Sequence, residues 1–204
     1  PMPRAEDQVN LTDSESRIMK RSGGDFEQCY NAQIAVDTDT MLVVGAYACN
    51  AVNDKQQIAP MLAELKAVPA ALGRVKALLG DTGFYSEHNV DLCEQESIDA
   101  YLAVGRDPHH PNLFSRFCEP DDLPENATVR QKMQHKLKTK VGRAVYAVRK
   151  CTVEPVFGII KSVMGFRQFS LRGLEKASGE WRLVCLAWNL KRLAKLQASC
   201  VNTG

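Results

Sequence analysis

The chain has 204 residues, enough for one sizeable domain with its own core or for two small ones. Its composition, 45% apolar and 25% charged, excludes a disordered or fibrous class, and no apolar run approaches the ~18 residues of a membrane span. The net charge of +2 hides a division, because residues 1–129 carry 10 Lys/Arg against 21 Asp/Glu while residues 130–204 carry 16 against 3. A basic third beside an acidic two-thirds points to a surface for a polyanion next to a region that tolerates or needs carboxylates. The plainer alternative is that the two parts neutralise each other across an interface.

The opening PMPRAEDQVN has neither the basic start nor the apolar stretch of a secretory signal, so a cytoplasmic location is expected. The seven cysteines lie far apart, without a C-x-x-C or zinc-finger spacing, and read as reduced thiols. Residues 1–28, polar and Gly-containing, read as an irregular lead-in. YNAQIAVD, TDT and MLVVGAYAC then read as strand, short loop and strand, an antiparallel hairpin.

DKQQIAPMLAELKAV places Ile58, Met61, Leu62 and Leu65 at helical spacing, with Asn53 or Asp54 as cap and Pro60 inside the pattern. Val75 to Leu79 reads as a short buried strand ending on Gly80-Asp81. SEHNVDLCEQES reads as a helix capped by Ser86, and IDAYLAV as another strand. The order strand, strand, helix, strand, helix, strand indicates an α/β sheet of mixed direction. Residues 105–128 hold four prolines and read as a long loop or small insertion; its pair His109 and His110 reads as solvated rather than metal-binding.

From Val129 the chain reads as helical. In the last segment Trp181, Val184, Leu186, Trp188, Leu190 and Leu193 form a broad apolar face expected to pack on the sheet, opposite Arg182, Lys191, Arg192 and Lys195.

Two carboxylates stand out by position. Asp81 follows a buried strand between Gly80 and Thr82-Gly83, where backbone approaches a ligand closely. A turn or helix-cap role is the plainer reading. Glu154 is the only acid between Asn126 and Leu174 and precedes Pro155, which marks a kink or helix start. Phe157, Gly158 and Lys161 fall on its face, and an i, i+4 pair with Lys150 is its plainer reading. Cations around a carboxylate keep it ionised, and ionised carboxylates with phosphate oxygens are what Mg2+ takes as ligands.

Taken in order, YNAQIAVDTDT, NDKQQIAPML, LLGDTGFYSEHNV, IDAYLAVGR and RKCTVEPVFGIIKSVMGFRQFSLRGLEKASGEWRLVCLAWNL resemble the catalytic region of bacterial insertion-sequence transposases of the DDE type, from about Leu11 onward. The resemblance implies an RNase H-like mixed sheet flanked by helices, with residues 29–204 a partial catalytic domain and 129–204 its basic helical part. It implies DNA transposition by metal-assisted strand cleavage and transfer, on double-stranded DNA at element ends and target, with two Mg2+ ions and a homo-oligomer on DNA.

Carried over by motif, Asp81 and Glu154 are the catalytic, metal-binding second Asp and Glu. Tyr146, Arg149 and Lys161 match the DNA-binding Tyr, Arg and Lys around the Glu, with Lys150 standing at the spacing usual for the Arg. The strand bearing the first Asp is not found: Asp13 matches the lead-in of relatives and Asp37 a hairpin position. The expectation is a truncated, inactive portion of the enzyme; the alternative is a non-catalytic DNA-binding remnant.

Overall fold

Residues 9–20, 24–105 and 118–201 are described by a computed structural model; His109 and His110 lie outside the described residues. In chain order the elements are β1 (Arg17–Lys20), β2 (Phe26–Cys29), β3 (Asn31–Val36), β4 (Val43–Cys49), α1 (Ile58–Lys66), β5 (Ala77–Gly80), α2 (Glu87–Gln95), β6 (Asp99–Leu102), α3 (Val129–Lys138), α4 (Lys140–Ala147), α5 (Val153–Ser162) and α6 (Leu174–Val201). The mixed α/β order expected from β3 to β6 is the order that forms. No helix among the described residues is long and apolar enough to cross a membrane.

The strands form three two-stranded ladders: β1 with β2, β3 with β4, and β5 with β6. The first two are antiparallel, β3–β4 running from Asn31 opposite Cys49 to Val36 opposite Val43. The third is parallel, with Gly80 opposite Leu102. Asp37 closes the β3–β4 turn, its Oδ2 accepting from Thr40 N at 2.8 Å and Thr40 Oγ1 at 2.5 Å, a side-chain turn of the kind Asp favours.

The lead-in is more ordered than its composition suggested. β1 pairs with β2, and Asp13 and Glu15 reach the start of α6, accepting from Gly173 N at 3.2 Å and Leu174 N at 2.9 Å. Carboxylates there satisfy helix donors that have no partner within the helix and suit the positive end of its dipole.

Two large apolar clusters hold the layers together. One joins α1, α2, β6 and α3 through Ile58, Leu62, Val90, Cys93, Leu102 and Met133. The other packs Val156 and Ile160 of α5 and Trp181, Cys185 and Trp188 of α6 onto Val43 and Ala46 of β4. Pro60 does not break α1, since as its third residue it sits in the first turn, where the N–H it lacks would have no helical partner.

The expected face of α6 needs correction. Trp181 and Trp188 are buried, but Leu186, Leu190 and Leu193 point to solvent. The sheet side instead includes polar groups that bond the backbone at this side of the hairpin. Asn189 exchanges two 2.8 Å bonds with Val43 N and O, Trp181 Nε1 donates to Gln33 O, and Arg182 Nε donates to Ala46 O. A strand edge left bare would invite further pairing, and α6 covers it.

Candidate active site at the ends of β5 and α5

Asp81 leaves the C-terminal end of β5 and caps the short turn Thr82–Phe84, its Oδ1 accepting from Gly83 N at 2.8 Å. The capping role expected as its plainer reading is therefore real, and the carboxylate remains exposed. Gly80 permits this exit, because a Cβ there would lie 2.7 Å from Leu102 Cδ2 and 3.2 Å from Phe84 Cβ.

Glu154 is the second residue of α5, exposed and in the first turn, where the helix dipole favours an acid. Its partner is Arg149 rather than Lys150: Arg149 Nη2 lies 3.6 Å from Glu154 Oε1. Arg149 is mostly buried, lies 5.5 Å from the Tyr146 ring centroid, and lines the same cavity as Asp81. Tyr146 Oη in turn donates to Gly80 O at 3.2 Å. A continuous path thus runs from Gly80-Asp81 through Tyr146 and Arg149 to Glu154. Lys150 is exposed. So is Lys161, two turns along α5 from Glu154, with Nζ 5.6 Å from the Phe157 ring centroid.

A cavity of about 300 Å³ opens between β3 and β5. It is lined by the five consecutive residues 31–35 and by residues 78–81. Since side chains alternate along a strand, a lining that takes every residue is a strand edge, and among the described residues neither edge is paired. Ile58 and Met61 of α1 close the cavity, as do Val153 and Phe157 of α5. A second cavity of about 890 Å³ also runs between the two strands, lined by Ala35, Val36 and residues 77–79.

Sequence reasoning missed part of this cavity. Asp54, expected at most to cap α1, makes no such side-chain cap. Its Oδ1 instead accepts from Asn31 Nδ2 at 2.8 Å and from buried Gln33 Nε2 at 2.7 Å. Its Oδ2 and Asp81 Oδ1 lie 3.3 and 3.1 Å from the point where a Cβ on Gly83 would stand. The available signal was the polar pair Asn31 and Gln33, two residues apart on one face of an otherwise apolar strand.

The chain matches the family described as Transposase DDE domain over residues 4–190. It belongs to the DDE transposase family. No curated protein and no solved structure matches it significantly. Members of this family generally use divalent metal ions, and the exposed carboxylates of this DDE domain, Asp81 and Glu154, are the hard oxygen donors that suit such ions. Their number falls short: among the described residues no three His, Cys, Asp or Glu side chains converge to hold a metal.

Proposed function

We propose that this chain is the greater part of the catalytic region of an enzyme that cuts and joins double-stranded DNA, with Asp81 and Glu154 as two of three metal-binding carboxylates. The observation that carries the reading is the path that joins them, in which Arg149 pairs with Glu154 and shares a cavity with Asp81. In this reading β3–β4 and β5–β6 belong to one RNase H-like sheet. The open slot between β3 and β5 then takes one more strand, parallel to β5, whose end delivers the remaining carboxylate beside Asp81. The edges of β3 and β5, which pair with no other strand across the slot among the described residues, support this. So does Arg149 Nε, which is buried with no hydrogen-bond partner among the described residues, because a buried donor left unbonded is costly and implies an acceptor.

When bound, Mg2+, as two ions in this proposal, would make water or a DNA hydroxyl a better nucleophile and stabilise the leaving oxygen. The chain's own residues hold and orient. Gly83 N–H keeps the Asp81 carboxylate aimed out of the sheet. Tyr146 and Arg149 keep β5 and α5 at a constant separation. Exposed Lys150 and Lys161 meet DNA phosphate as point charges. A cytoplasmic location and a homo-oligomer on DNA are part of the same proposal.

The test is Mg2+-dependent nicking of duplex DNA by this chain and by a form extended by an N-terminal strand. The extended form should nick, and Asp81→Asn or Glu154→Gln should lower its rate on the order of a hundredfold with unchanged DNA binding. The chain alone should bind DNA and not nick. Nicking that survives either substitution refutes the assignment. Binding without nicking in every form favours the DNA-binding remnant, which the incomplete carboxylate set already makes the second reading.

A further inference from the structure

Asn89 is the third residue of α2, 2% exposed, with its backbone N–H capped by Ser86 Oγ at 3.1 Å. Burying a side-chain amide is costly unless it is bonded. Its Nδ2 donates twice, to Lys55 O at 2.8 Å and to Phe84 O at 2.7 Å. Neither carbonyl belongs to α2. Lys55 follows Asp54 on the approach to α1, and Phe84 ends the turn that Asp81 caps, so one buried side chain ties the Asp54 loop to the Asp81 turn. From the opposite side β3 holds Asp54 itself. Asn31 Nδ2 and Gln33 Nε2 both donate to its Oδ1, and Gln33 Nε2 also reaches Asn31 Oδ1 at 3.0 Å. Bonds to a carboxylate are stronger than neutral ones, and two on one oxygen fix the plane of the group. Oδ2 and Cβ of Asp54 are thereby set against Gly83, 3.3 and 3.6 Å from the place of a Cβ on that residue. Gly83 N–H is the donor that aims Asp81.

We propose that Asp54 and Asn89 are positioning residues for Asp81, gripping its turn from two sides and acting through Gly83 and Phe84. The proposal rests on the reading of Asp81 as a metal-binding carboxylate. No ladder joins β3 to β5 among the described residues, so sheet hydrogen bonds do not set the distance between them. The contacts that run from Asn31 and Gln33 through Asp54 to Gly83 supply that link. Groups that orient a metal-binding side chain are worth roughly 10- to 100-fold in metal affinity or activity, because a reacting group displaced by about 1 Å loses much of its effect. Asp54 contributes an acceptor rather than a charge. Asn at this position keeps an oxygen for both amides of β3, and Ala leaves them without it.

Fast solvent exchange of backbone amides, measured by NMR on the metal-free chain, reports the Gly83 N–H bond through local opening and needs no activity. Asp54→Ala should speed exchange at Gly83 N–H about tenfold, and Asp54→Asn should leave it within about twofold of wild type. Thr40 N–H, held in the same way by Asp37 Oδ2 at 2.8 Å, is the control and should not change. In the strand-extended form, Asp54→Ala should lower kcat for Mg2+-dependent nicking about tenfold at unchanged KM for DNA, and Asp54→Asn should stay within about threefold of wild type. Asn89→Ala, with Asn89→Leu in its place if the smaller side chain prevents folding, should reproduce the Asp54→Ala pattern in both readouts. Unchanged exchange at Gly83 N–H overturns the proposal, as does an equal rise at Thr40 N–H, which marks general loosening. An Asp54→Asn form as impaired as Asp54→Ala overturns it too, because the charge and not the hold would then matter. Failure of the Asp81 reading looks different: nicking survives Asp81→Asn while Gly83 N–H still responds to Asp54→Ala, and the positioning stands.

Discussion

A backbone carbonyl decides the residue at position 142. A Cβ there would stand 1.8 Å from Lys136 O and 2.8 Å from Lys136 C, backbone atoms that cannot swing aside as a side chain can. Gly142→Ala is expected to cost about 3 kcal/mol, or roughly 10 °C in Tm, measurable by thermal denaturation. Asp54 was legible as an acid near a helix start, but its bonds to Asn31 and Gln33 cross more than 20 residues of sequence, and no local pattern encodes them. Asp54→Ala leaves those amides short of an acceptor and should destabilise by about 1–3 kcal/mol, visible as a lower urea midpoint with unchanged slope. At Asp13, burial pushes the pKa up, but bonds from Tyr30, Gly173, Glu15 and Ser16 together outweigh it and hold the carboxyl below its usual 3.8. A depressed carboxyl stabilises the fold above pH 3.8 and loses that contribution as pH falls through its folded value. Asp13→Asn should therefore narrow the gap to wild type in melts taken below pH 3.8, and a gap that stays constant across that range would sink this account.

Among the elements, α6 shows how a correct helix can be assigned too broad a face: Trp181, Val184 and Trp188 pack on the sheet as expected, while Leu186, Leu190 and Leu193 do not. Its apolar residues lie on two sides, so periodicity announced a helix without naming the buried side. The choice was made by Asn189, which satisfies both Val43 N and Val43 O, and by the two tryptophans, whose ring nitrogens reach Gln33 O and Met41 O. Asn189→Leu keeps the branched shape of the side chain and strands both backbone groups, so a loss of about 2–3 kcal/mol is expected. Faster hydrogen exchange at Val43 N–H than at its neighbours would identify the cause. The β1–β2 hairpin escaped notice for a related reason. Its strands are four residues each and mostly exposed, and their order comes with contacts to the distant start of α6.

For the whole molecule, the charge division decides the DNA prediction. Among the described residues, the ion pairs between the acidic part and the basic third include Lys136 with Asp99 and Arg182 with Glu64. Lys150 and Lys161 are exposed and are the cations on which the proposed DNA binding rests. Duplex DNA binding should weaken linearly on a logarithmic salt plot, and Lys150→Ala and Lys161→Ala should each reduce the slope by about 1; slopes that do not change would remove both lysines from the interface. By itself the sequence determined the elements from β3 to β6, the positions of Asp81 and Glu154 at element ends, and the uneven charge, because periodicity, Gly and Pro placement and composition are local quantities. Tertiary structure alone decided that Arg149 and not Lys150 pairs with Glu154, that Asp54 joins the cavity beside Asp81, and that the edges of β3 and β5 line that cavity. Each of those depends on which distant segments meet, and contact between segments far apart in the chain leaves no periodic trace in either of them.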